Sequence, residues 1–170
     1  MFNNPNRYMY DVRGTDVNSW GKDSTGSITY TFDEFGFRNH NNYNKIPSYV
    51  FFGCSLLFGV GVEKNEVFTS RFNCWNFGLA GEYTESQIMD CYEEFKQTKI
   101  QSKVIFVWRD YDLIPKDILN NELVYHCLPL KSNKTNHVEL LSHLDFDVSG
   151  THWGVKTHDK FYKMLCYFLK

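Results

Sequence analysis

Residues 49–61 read Tyr49-Val50-Phe51-Phe52-Gly53-Cys54-Ser55-Leu56-Leu57-Phe58-Gly59-Val60-Gly61. An unbroken apolar, β-prone run ends in a glycine, a thiol and a hydroxyl follow side by side, and glycine then returns twice. A short run of this kind is the pattern of a strand covered on both faces, and the glycine after it starts a tight strand-to-helix turn. Three readings of that turn compete: Ser55 as a nucleophile, Cys54 as a reactive thiol at a helix N-terminus, and a buried strand with a structural serine capping the helix. A phosphate-cradling loop fails, because no Gly-Lys-Ser/Thr follows Gly53 at the required spacing and Lys64 stands at the third glycine position of Gly-x-Gly-x-x-Gly.

Outward from this stretch, strands alternate with helices. Strand patterns cover Tyr49 to Phe52, Cys74 to Phe77, Lys103 to Trp108 and Val124 to Leu128. Helical spacing of Ile88, Cys91, Tyr92 and Phe95 predicts a helix over 85–98, preceded by a capping box from Thr84 to Gln87. A short helix is expected around Lys116 to Leu123, and a last one from about Thr157 to Leu169, with Phe161, Met164, Leu165 and Phe168 on one face. Alternation of this kind implies crossover connections and a mostly parallel α/β sheet covered on both sides. The first 45 residues favour turns, with a strand or hairpin arm at Ser27 to Phe32 and a turn at Asp33 to Arg38. The domain reading is a single globular unit: an irregular N-terminal extension over 1–45, packed on a domain over 46–170.

Composition narrows the partners. A chain of 170 residues builds one domain with a real core. Net charge is −2 with no cluster of Lys and Arg, which argues against nucleic acid. Five scattered cysteines without a C-x-x-C pair suggest reduced thiols in an intracellular compartment. The polar N-terminus and the lack of a long apolar run predict a cytoplasmic protein with no membrane partner. His137, His143, His152 and His158 fit neither one helical face nor a His-Glu-x-x-His site, so neither a metal nor another cofactor is expected.

In parallel sheets, ligands bind outside the carboxyl ends of the strands, which gathers the loops after Phe52, Phe77 and Trp108. A serine at the first turn of a helix lies where backbone N–H groups can hold the oxyanion that develops in acyl transfer. Gly81 lets another N–H approach the same place. Serine needs a base, and His152, in a loop with acidic neighbours ahead of the last helix, is the candidate.

These blocks carry a resemblance. Gly53-Cys54-Ser55-Leu56 with Phe58-Gly59-Val60-Gly61, then Asn76-Phe77-Gly78-Leu79-Ala80-Gly81, then a late Asp...His152-Trp153-Gly154 segment resemble the ordered blocks of the SGNH (GDSL-type) hydrolase family, and Asp33 to Arg38 is similar to an element ahead of the nucleophile block in many members. The resemblance spans roughly residues 25 to 170. It implies a three-layer α/β/α sandwich with a flavodoxin-like central sheet, and metal-free hydrolysis of a small acyl ester or an acylated carbohydrate. Ser55 would be the nucleophile, His152 the base, and the N–H groups of Ser55 and Gly81 the oxyanion hole.

The chain departs from the family pattern at three places. Cys54 replaces the usual Asp before the nucleophile. Asp110 occupies the position whose Asn completes the oxyanion hole, so either another donor such as Arg109 substitutes or catalysis is weak. Ser149 stands where the family has the acid that orients the histidine, which leaves Asp147, Asp145 or no carboxylate for that task. Trp108 and Trp153 have two readings, rings that stack on a sugar beside Arg109 or core packing. Arg38 likewise either binds an anionic group or fixes the N-terminal segment to the sheet. The rival to an esterase is a degenerate member that keeps the fold as a carbohydrate-binding or assembly module.

Overall fold

The computed structural model describes residues 28, 30–33, 35, 37–39, 45–79, 85–108, 123–126 and 152–169. Within them the order of elements is β1 (Tyr49–Gly53), α1 (Ser55–Phe58), two 3-10 turns (Lys64–Glu66 and Phe68–Arg71), β2 (Cys74–Gly78), α2 (Glu85–Gln97), β3 (Lys103–Trp108), β4 (Leu123–His126) and α3 (Val155–Phe168). The class is α/β. The four strands form one sheet in the order β2-β1-β3-β4, and all three pairings are parallel. Tyr49 opens the register opposite Cys74 on one side and Lys103 on the other, so β1 is central and is hydrogen-bonded along both edges.

Period-two alternation along continuous apolar strands sends side chains to two separate cores. Val50, Phe52, Trp75, Phe77, Val104 and Phe106 face one way and meet Ile88, Cys91, Tyr92 and Phe95 of α2. Phe51, Cys74, Ile105 and Val107 face the other way and meet Phe161, Met164 and Leu165 of α3. The first core is built of aromatic contacts: Phe52 lies 5.2 Å from Phe77 and 5.5 Å from Phe106, and Tyr92 meets Phe106 edge-on at 5.1 Å. Each such ring, fully buried, contributes roughly 1.5–3 kcal/mol of transfer free energy. The high aromatic content of the sequence is spent here.

Described residues between 28 and 39 close over the first core. Tyr30 and Phe37 are buried in it, and Phe37 packs edge-on against Phe77 at 4.7 Å. Asp33 turns the chain as expected: its Oδ1 accepts from the N–H groups of Phe35 and Phe37, both at 2.9 Å. The strand expected just upstream does not form at Ile28, Tyr30, Thr31 or Phe32. Tyr30 and Phe32 instead lay their rings against Phe58, at 5.5 and 5.9 Å, and side-chain packing takes the place of a ladder.

Strand and helix boundaries shift by a residue or two. β1 and β2 each extend through their terminal glycine, α2 ends at Gln97, and α3 begins at Val155, two residues before Thr157. Leu123 belongs to β4 and not to a helix, because it pairs with Ile105. The rest of that expected helix, with Thr84 of the capping box, lies outside the described residues.

Candidate functional site

The sheet places Ser55 by two close approaches. A side chain at Gly53 would collide with the carbonyl of Val107 on β3, and one at Gly78 would collide with the backbone of Leu57 and Phe58. Glycine at both positions lets α1 lie against the end of β2 directly after β1. Cys54 is the N-cap, in extended conformation, and its thiol is buried in the second core. Ser55 is therefore the first helical residue, half-buried, at the carboxyl end of the central strand. The strand order reverses there, β2 lying to one side of β1 and β3 to the other, which is where open parallel sheets form a crevice. The N–H groups of a first helical turn have no acceptor within the helix, and Ser55, Leu56 and Leu57 occupy those positions.

His152 arrives from the far end of the chain. Its Nε2 lies 3.1 Å from Ser55 Oγ, across a separation of 97 positions. The next residue fixes the approach: Trp153 is buried, its ring 5.0 Å from Phe161 and 5.7 Å from His158, so the chain is anchored in the second core one residue beyond the imidazole. Of the two readings of Trp153, this is core packing. His158 is buried as well, stacked on Phe68 at 5.9 Å. Among the described residues, no group of three or more His, Cys, Asp or Glu side chains could hold a metal ion, and no helix is long and apolar enough to cross a membrane.

The far end of α1 is held by side chains from elsewhere. Arg38 donates from Nη1 to the carbonyls of Phe58 and Gly59, at 3.2 and 2.6 Å, and from Nη2 to that of Val62 at 2.9 Å. Its guanidinium also lies over the rings of Tyr30 and Phe58, at 4.8 and 5.2 Å. Burial pushes its pKa down to about 10, with the Tyr30 and Glu63 charges opposing the shift. Arg38 is thus a structural clamp: its side chain is buried, and both of its terminal nitrogens are turned to backbone carbonyls and not to a ligand. Gly59, at φ +80°, makes the left-handed turn that ends α1, and Tyr30 Oη accepts from Gly61 N–H at 2.8 Å.

Asn76 is the residue whose role the sequence did not announce. Its Nδ2 donates to the Leu57 carbonyl at 3.1 Å and to Thr69 Oγ1 at 2.9 Å, its Oδ1 accepts from Gly78 N–H at 2.9 Å, and its backbone N–H donates to Asn39 Oδ1. Asn39 in turn donates to Asp33 Oδ2 at 2.9 Å. The available signal was an amide in the middle of an apolar strand, a place where asparagine is disfavoured unless fully hydrogen-bonded.

Ser55 and His152 are therefore brought together. Trp108 ends β3 on the same edge of the sheet, with Val107 opposite Gly53. Gly81, Arg109, Asp110, Asp145, Asp147 and Ser149 lie outside the described residues. Compared with known proteins, the chain matches no protein-family model, no curated protein and no solved structure.

Proposed function

We propose that the chain is a serine esterase of SGNH type, built on a three-layer α/β/α sandwich with a flavodoxin-like sheet, acting on a small acyl ester such as an O-acyl or O-acetyl group of a carbohydrate. The observation that carries this reading is the 3.1 Å approach of Ser55 Oγ to His152 Nε2, at the crevice end of the central strand. Strand order β2-β1-β3-β4 supports it, because that order opens a flavodoxin-like sheet.

In this reaction Ser55 Oγ attacks the acyl carbon while His152 Nε2 takes the hydroxyl proton. The oxyanion is held by the Ser55 N–H and, in the proposed arrangement, that of Gly81. Collapse expels the alcohol, which receives the proton from His152, and leaves Ser55 acylated. Water activated by the same imidazole then releases the acid. Asp147 or Asp145 would orient the imidazole, Asp110 or Arg109 would border the oxyanion, and Trp108 would stand beside them. No metal is needed.

The sequence features that favour the rival, a binding or assembly module, are Asp110 and Ser149. Purified full-length chain should release p-nitrophenol from short-chain esters above a Ser55→Ala control, with a serine-reactive phosphonate attached to Ser55. His152→Ala should lower the rate about 10²–10⁴-fold, the usual contribution of a general base. Neither turnover nor labelling above the Ser55→Ala control would exclude the esterase and leave the module.

A further inference from the structure

A helix of four residues has no stability of its own, since nucleation costs more than a single turn of hydrogen bonds returns. The position of Ser55 must be set from outside α1. Arg38 takes the carbonyls of Phe58 and Gly59, and Asn76 takes that of Leu57. Asn76 differs in what else it holds. The same side-chain amide reaches Thr69 in the second 3-10 turn and Gly78 N–H, where β2 gives way to the segment leading to Gly81.

The geometry points to Asn76 as a positioning residue for Ser55, one that fixes the nucleophile helix relative to the exit of β2. This rests on the esterase reading above. The task needs a neutral amide: two N–H donors for Leu57 and Thr69, and an oxygen for Gly78. A carboxylate of the same shape keeps the acceptor but turns an anion toward the Leu57 carbonyl, which has no proton to offer. Protonating that carboxyl restores one donor. Burial raises a carboxyl pKa, so the restoration falls within a measurable range of pH.

The experiment compares wild type, Asn76→Asp and Thr69→Val as full chains, with p-nitrophenyl acetate turnover and phosphonate labelling of Ser55 expressed per folded molecule from circular-dichroism melts. At about pH 8.5, Asn76→Asp should lose about 100-fold in kcat, the scale of a misplaced reacting group, with KM within about threefold of wild type. The ratio of variant to wild type should then rise about tenfold or more as pH falls to about 5.5, following the variant's own carboxyl. The charged and titratable groups around residue 76 are Cys74 on the same strand, Asp33 through Asn39, Arg38 at the far end of α1 and His152 at Ser55, and the wild-type profile over the same pH range is the reference for all of them.

Wild-type kcat per folded molecule in Asn76→Asp, or a loss whose ratio is flat with pH, overturns the inference. Should that variant fail to fold, Thr69→Val decides: it removes one acceptor of the amide and should slow labelling about tenfold while melting cooperatively, and unchanged labelling overturns the inference. A wild-type protein that neither turns over nor labels instead sinks the esterase reading itself.

Discussion

Two thiols show how surroundings decide chemistry at the level of one residue. Cys54 stands next to Ser55 in sequence, yet its side chain turns into the second core while the hydroxyl meets His152. Cys74 opens β2, donates from Sγ to the Thr69 carbonyl at 3.2 Å, and burial pushes its pKa from the ordinary 9.0 up to about 12. In the unfolded chain that thiol loses its proton near 9.0, whereas the folded chain keeps it to about 12. The folded state binds more protons across this window, so the contribution of Cys74 is complete below 9.0 and is lost as pH rises toward 12. Urea unfolding of wild type and Cys74→Ala at stepped pH should show their stability difference shrinking through that window. A difference independent of pH would contradict the assigned burial.

At the scale of elements, the decisive contact is α1 against the end of β2. Gly78 allows it, since any side chain there meets the backbone of Leu57 and Phe58. Gly78→Ala should cost about 1–3 kcal/mol, the usual penalty for overpacking without room to relax, and should slow phosphonate labelling of Ser55 because the helix must move away. An alanine variant with wild-type melting and labelling would show that α1 tolerates the shift. The strand-turn-helix unit itself was legible from residues 49–61, because alternation, a glycine and a following apolar run are local signals. The reason for Gly78 was not, because it lies in a helix some twenty residues earlier. The strand expected at Ser27 to Phe32 failed at its described residues for a related reason: a β-rich segment becomes a strand only if a partner edge is offered, and there the ring of Phe58 offered packing to Tyr30 and Phe32 instead.

At the scale of the whole molecule, the N-terminal segment is part of the site's foundation. Arg38 reaches three carbonyls in and beyond α1, and Asp33 and Asn39 continue into Asn76. Arg38→Lys keeps the charge but replaces a planar fork with one point of donation, leaving buried carbonyls without a partner. It should lower stability by about 1–3 kcal/mol in urea titration. Unchanged stability would mean that the segment merely covers the core. Its effect on Ser55 labelling should follow the same direction, since the turn after α1 loses its clamp.

Sequence alone determined the α/β class, the parallel character of the sheet, the strand-to-helix turn at Gly53 and the place of Ser55 on it. The turn and the place of Ser55 depend on side-chain periodicity and backbone freedom within about ten residues. The class and the parallel pairing depend on the order in which such local elements follow one another, since a strand, a helix and a strand imply a crossover. Tertiary structure decided the rest. It set His152 Nε2 3.1 Å from Ser55 Oγ across 97 positions, buried Trp153 and Cys54, and tied α1 down through Arg38 and Asn76. Those contacts join segments far apart in the chain, and no local pattern encodes the distance at which folding brings two such side chains together.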